Sequence, residues 1–188
     1  MIDGVTAVKA ARTVISNETM NRTADLRFPG SFDEHMGVFV TLKEYPSGDL
    51  RGCIGYPEPV FPLKESLVRS AISACHDPRF PDLRSDEAVT VEVTLLSRPV
   101  PVTCDKEQFM NDIEIGVHGL IIEQKGRRGL LLPQVPVEWN WSKEEYLAHL
   151  SVKAGLPKDA WRSEDSRLYT FTGSIFRENE PEGDVEQC

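Results

Sequence analysis

Met36-Gly37-Val38-Phe39-Val40-Thr41-Leu42-Lys43 is followed, across Tyr45-Pro46-Ser47-Gly48-Asp49, by Leu50-Arg51-Gly52-Cys53-Ile54-Gly55. In the first run Met36, Val38, Val40 and Leu42 alternate with Gly37, Phe39, Thr41 and Lys43, the period of a strand with one face buried. The Pro and Gly between the runs mark a turn, so the second run reads as the return strand of a hairpin. That strand carries a cation, a thiol and two glycines, a combination that core packing alone rarely requires. Strict alternation places Arg51 and Cys53 on one face, about 6.5–7 Å apart, with Leu50, Gly52 and Ile54 on the other. Glycine inside a strand marks close approach by another backbone or a ligand, so Gly52 and Gly55 are expected to leave space beside Cys53 as the floor of a pocket.

Working outward, Ala7, Val8, Ala11, Val14 and Ile15 predict an amphipathic helix over 4–17 with Asp3 as its cap. Leu63, Leu67, Ala71, Ile72 and Cys75 predict another over 62–76, with Cys75 as a small core thiol. Val89, Val91, Val93 and Leu95 alternate as a strand that Pro99 and Pro101 stop. Thr103 is expected to cap a short helix running to Met110, after which Ile113, Ile115 and Val117 alternate as a strand. Leu120-Ile121-Ile122 and Leu130-Leu131-Leu132 bracket a basic turn, Lys125-Gly126-Arg127-Arg128-Gly129, and so predict a hairpin. Ser142-Lys143-Glu144-Glu145 is a capping box ahead of the stripe Tyr146, Leu147, Leu150 and Ala154, which ends at Gly155. Leu168, Thr170 and Thr172 mark a last strand, and the Glu, Pro and Gly of 178–188 read as a flexible acidic tail. Hairpins interleaved with helices predict an α+β layered fold with largely antiparallel or mixed sheets, in one domain over 1–177 or in two intimately packed lobes.

Thirty acidic residues against 21 basic ones leave a formal charge of -9, which opposes broad binding to a nucleic-acid backbone. Cys53, Cys75, Cys104 and Cys188 form no C-x-x-C pair, which argues against a zinc ribbon or a thioredoxin motif and for free thiols in a reducing compartment. No run approaches the ~18 apolar residues of a membrane span, and the N-terminal residues lack the layout of a signal peptide, so the reading is a cytoplasmic protein with no membrane association. No spaced metal cluster and no Gly-rich phosphate loop stands out, and no motif names a cofactor.

The chain resembles the AMMECR domain family, which is recognised by Leu50-Arg51-Gly52-Cys53-Ile54-Gly55. Supporting blocks are Phe39-Val40-Thr41-Leu42, Asp77 to Pro81, Gly116-Val117-His118-Gly119, Leu132-Pro133-Gln134-Val135 and Lys153-Ala154-Gly155, in order over residues 36–162. The resemblance implies a two-lobed α+β protein with a cleft near the motif, and no settled reaction. Some relatives occur fused to, or beside, a radical-SAM protein and a Memo-type protein, which implies a shared pathway and a partner of that kind. Gln134 stands where some relatives carry Glu, and a neutral amide cannot serve as a base.

Cys53 is the candidate nucleophile, since a thiolate is favoured by nearby positive charge and Arg51 is expected on its face. His118, between two glycines, or His76, at a helix exit, would carry a proton. Arg79 beside Arg51 would clamp a carboxylate or phosphate, with Asp77 orienting it and Gly52 and Gly55 leaving room. Lys153 enters through its family block, although a lysine in a last helical turn already suits the helix dipole. The structural alternative has Cys53 filling a tight space, Arg51 paired with an acidic neighbour, the glycines allowing close packing, and His35 and His149 serving the fold. Three functional classes follow: an enzyme or enzyme component binding a small anionic or nucleotide-like ligand, a non-enzymatic binding or scaffold protein, and, against the acidic balance, an RNA-binding module using Arg51, Arg79 and Arg127 or Arg128.

Overall fold

In the computed structural model, which describes residues 2–188, Asp3 caps the first helix, α1 (Gly4–Glu18), by accepting the Val5 amide at 3.1 Å. The cap satisfies one of the amides that a helix start leaves without a partner. The chain divides into two units: one holds the residues up to Leu96 together with Ser174–Cys188, the other Ser97–Gly173.

In the first unit, β1 (Gly37–Glu44) pairs antiparallel with β2 (Leu50–Tyr56) on one side and with β3 (Val89–Leu96) on the other. Helix α2 (Leu63–Cys75) and α1 cover one face of this sheet, and Val38, Val40, Leu42, Val91 and Val93 share a core with Leu63, Leu67 and Ala71. Each of these side chains is fully buried, and a buried Val or Leu contributes about 1.5–3 kcal/mol. This is the face that the alternation in β1 and β3 predicts.

The return strand departs from strict alternation. Its register runs Thr41 with Cys53 and Leu42 with Gly52, then steps to Lys43 with Leu50, leaving Arg51 as the extra residue of a β-bulge. A bulge re-aims the side chain it carries, so the expectation that Arg51 stands beside the Cys53 thiol is corrected below. The expected empty space is also absent. A Cβ on Gly52 would lie 2.4 Å from the Ala74 carbonyl oxygen of α2, and one on Gly55 would lie 2.5 Å from the ring of Phe39, its cross-strand partner. Both glycines admit protein: a helix backbone at Gly52 and an aromatic ring at Gly55.

The second unit contains β4 (Val100–Pro101), α3 (Lys106–Asp112), β5 (His118–Gln124), β6 (Arg127–Leu131), α4 (Val135–Glu138), α5 (Lys143–Lys153) and the first part of β7 (Arg167–Glu178). Here β4 pairs with β7, β7 with β5 and β5 with β6, all antiparallel. Leu120, Ile122 and Leu168 pack with Tyr146, Leu147 and Leu150 of α5. The capping box at Ser142 and Glu145 is complete. Two local expectations change. Asp105, not Thr103, caps α3, because its carboxylate reaches the Glu107 and Gln108 amides. Residues 113–117 form a turn rather than a strand, with Gly116 at φ +87° and the Val117 and His118 amides both donating to the Glu114 carbonyl.

The acidic end folds back as β8 (Val185–Gln187), antiparallel to the second part of β7, where 178–188 read as a flexible tail. Glu178 is buried: Oε1 accepts Nε of Arg12 at 2.9 Å, Oε2 accepts the Val91 amide at 2.9 Å, and Arg12 also donates to the Val89 carbonyl at 2.7 Å. This carboxylate ties α1, β3 and β7 together, a role that composition could not reveal.

Gly52→Ala should lower stability by about 1–3 kcal/mol in urea unfolding, because the obstructing Ala74 oxygen belongs to a helix backbone. Gly30→Ala, at a site with nothing within 4 Å, should leave the midpoint nearly unchanged.

Candidate functional site

Cys53 lies on β2, half-buried, and its sulfur accepts a hydrogen bond from the Thr41 hydroxyl at 3.2 Å. Thr41 sits opposite Cys53 on one side and opposite Glu92 on the other, so β2, β1 and β3 bring a thiol, a hydroxyl and a carboxylate into one row. Lys43 Nζ donates to Glu92 at 2.9 Å beside this row. These are the alternate residues to Val40, Leu42, Val91 and Val93, on the face turned away from α1 and α2. Sequence reasoning passed over Thr41, Lys43 and Glu92, although the alternation in β1 and β3 already separates them from the core.

The strand β2 ends the order β2-β1-β3, so its outer backbone groups need a partner. Asp77-Pro78-Arg79-Phe80 supplies one as a β-turn, with Asp and Pro at its first two positions and the Phe80 amide donating to the Asp77 carbonyl at 2.9 Å. The Asp77 carboxylate accepts the Cys53 amide at 2.9 Å, while Arg79 Nη2 donates to the Cys53 carbonyl at 3.2 Å. Asp77 also accepts the Arg79 amide at 3.0 Å, Nε at 3.0 Å and Nη2 at 2.6 Å. Hydrogen bonding from Arg79, and then from the Cys53 and Arg79 amides, holds the Asp77 carboxyl far below the usual carboxylate range. Asp77 is 1% exposed, whereas the Arg79 side chain is 55% exposed. The Arg79 pKa is raised, chiefly by its hydrogen bond with Asp77 and more weakly by the neighbouring Cys53 sulfur.

Arg51 lies elsewhere. Its Nε and Nη2 donate to Glu87 at 2.7 and 3.0 Å, and its side chain is 6% exposed. The positive group that reaches Cys53 is therefore Arg79, because the bulge turns Arg51 to Glu87. Gly52 and Gly55 stay within this strand as packing positions. Cys75 is a core thiol whose pKa burial pushes up to about 12. His76 bonds through both ring nitrogens, to Asp82 at 2.9 Å and Glu18 at 3.0 Å, and these contacts raise its pKa, the Asp82 bond first. Two carboxylates on one imidazole make it a tether between α1, α2 and the following loop.

His118 and Lys153 belong to the second unit. His118 Nδ1 accepts the Glu114 amide at 3.0 Å, and Lys153 is exposed at the last residue of α5. His149 stacks on Trp141, with centroids 3.9 Å apart and an angle of 6°. Gln134 precedes α4 and is exposed. Among the described residues no group of three or more His, Cys, Asp or Glu could hold a metal ion, and no helix is long and apolar enough to cross a membrane.

Antiparallel hairpins, helices on one sheet face, and an edge strand whose Cys53 is bracketed by an Asp–Arg turn define a mixed α/β protein with a thiol-bearing strand. The chain belongs to the AMMECR1 family, whose model matches residues 8–176. Protein MJ0810 of Methanocaldococcus jannaschii is 49% identical over 189 residues, covering 97% of this chain and 94% of that protein. Protein MK0488 of Methanopyrus kandleri is 50% identical over 159 residues, covering 82% and 77%. The crystal structure of protein PH0010 from Pyrococcus horikoshii superposes with a TM-score of 0.79 at 41% identity, over 98% of this chain and 96% of that one.

Asp77→Asn puts an amide where four donors meet and should destabilise by about 2–4 kcal/mol, less than a fully buried pair because Arg79 is half-exposed. Asp77 is held below its ordinary value of 3.8, so its contribution is complete above that pH and is lost as pH falls further. Urea unfolding across acid pH should show the gap between wild type and variant narrowing below about pH 4.

Proposed function

We propose that the chain is a cytoplasmic enzyme or enzyme component that binds a small anionic ligand along β2, with Arg79 as the oxyanion clamp and Cys53 as the candidate nucleophile. The carrying observation is the state of Arg79: Asp77 and the Cys53 carbonyl fix Nε and Nη2, yet the side chain stays more than half exposed. A guanidinium whose Nε and Nη2 are already held, leaving Nη1 to donate, needs little ordering to meet a carboxylate or phosphate. On this reading Thr41 orients the sulfur, Asp77 positions Arg79, and Arg51 with Glu87 anchors the start of the strand. His118 and Lys153 enter as further candidates through their family blocks, His118 for proton transfer and Lys153 for ligand contact.

Thiol alkylation of the native protein across pH tests the nucleophile. Cys53 should react faster than the exposed Cys188, and added inorganic phosphate should slow Cys53 in wild type but not in Arg79→Gln. Reaction of Cys53 no faster than that of Cys188 would sink the nucleophile role, and phosphate protection persisting in Arg79→Gln would sink the clamp.

A second reading, a binding or scaffold protein for another enzyme such as a radical-SAM or Memo-type protein, draws support from the exposed Val117, Val137 and Trp139 of the second unit. Trp139→Ala should then abolish co-purification of that partner while leaving Cys53 alkylation unchanged.

A further inference from the structure

The hairpin joining β5 to β6 turns in two residues, Lys125 at φ +50° and Gly126 at φ +77°. A two-residue turn with both angles positive favours Asn, Asp or Gly at its first position, because a side chain there is strained. Lysine occupies it. The tip lies beside a concavity of about 400 Å³ to which Arg127, Arg128 and Arg167 also contribute, with Glu123 and Asp165 as its carboxylates.

These charges do not simply cancel. Glu123 lies between Arg128 and Arg167 across the strands, and its carboxylate already receives Arg128 and, at 3.1 Å, the Tyr169 hydroxyl. Arg127 donates Nη1 to the Gly155 carbonyl at the end of α5, a neutral acceptor that fixes the guanidinium without neutralising it. Lys125 and Arg167 are exposed, and neither side chain has an ion pair among the described residues. Three cations, Lys125, Arg127 and Arg167, therefore line the concavity with Asp165 as the remaining carboxylate, in a chain whose overall charge is -9.

We propose that this concavity is a second anion site, separate from β2, and that it takes a small ligand carrying a diphosphate or longer phosphate chain. Several cations spaced around one concavity match several phosphate oxygens better than a single carboxylate. The volume is in the range of small-molecule sites, and the acidic balance of the chain disfavours a long nucleic-acid track.

Calorimetric titration of the full chain with inorganic pyrophosphate at low salt tests this, with a single-stranded RNA oligonucleotide as a parallel arm. Pyrophosphate should bind the wild type, weaken as salt rises, and lose about tenfold in affinity in Lys125→Gly and again in Arg167→Gln. Glycine suits the positive φ of position 125, so Lys125→Gly removes the charge while easing the turn, and weaker binding cannot then be ascribed to misfolding. Arg79→Gln should leave pyrophosphate affinity unchanged, which separates this site from the one on β2. The proposal is overturned if pyrophosphate fails to bind at millimolar concentration, if Lys125→Gly and Arg167→Gln both bind as wild type does, if Arg79→Gln alone abolishes binding, or if the RNA oligonucleotide binds more tightly than pyrophosphate.

Discussion

The buried carboxylate of Asp77 is the constraint on which the thiol-bearing strand depends. A carboxylate has roughly four acceptor positions, and here the Cys53 amide and three donors of Arg79 use all of them. The anion supplies an acceptor to a strand edge and locks the guanidinium that donates to the same residue's carbonyl. One turn thus does at Cys53 what a further strand would do, without extending the sheet. A protonated or amide side chain cannot fill all four positions, so the geometry around Cys53 is tied to the charge of Asp77.

Three arginine–carboxylate pairs in the same unit illustrate how burial sorts similar chemistry. Arg12 with Glu178 and Arg51 with Glu87 are largely enclosed, and both also reach backbone carbonyls. They hold elements together. Arg79 with Asp77 joins a buried anion to a half-exposed cation, so one partner is structural and the other remains accessible. Isolated exposed ion pairs contribute only about 0–1 kcal/mol, and the stabilising weight of this pair lies in the enclosed carboxylate and its backbone bonds.

How much of this was legible in the sequence depended on how local its cause is. Helices α1, α2 and α5 and the core faces of β1 and β3 were readable because their apolar positions, such as Val38, Val40 and Leu42 in β1, repeat within one element, whereas the four-residue α4 is too short to show a period. The Asp-Pro turn and the box at Ser142 were equally local. Arg51 was not, because its direction follows from the register of Lys43 against Leu50, which only the paired strands define. Gly52 and Gly55 announced a close approach but not what approaches, and helix backbone or ring leaves the same mark in sequence as a ligand would. Glu178 looked like part of a solvated tail because its partner Arg12 is 166 positions away. Around Cys53, the Asp77–Arg79 turn could be anticipated, whereas the Thr41 hydroxyl and the Glu92 carboxylate needed cross-strand pairing to come into view.

The bond between Arg12 and Glu178 also orders events during synthesis. The first unit is discontinuous: its helices and first three strands precede residue 97, and its last strands follow residue 173. The second unit is one continuous segment and can complete its own contacts as soon as it leaves the ribosome. The first cannot, since the carboxylate that answers Arg12 and the Val91 amide lies 166 positions after Arg12, beyond the whole of the second unit. Until residue 178 is made, the guanidinium of α1 and the amide of β3 lack the carboxylate that joins them to β7.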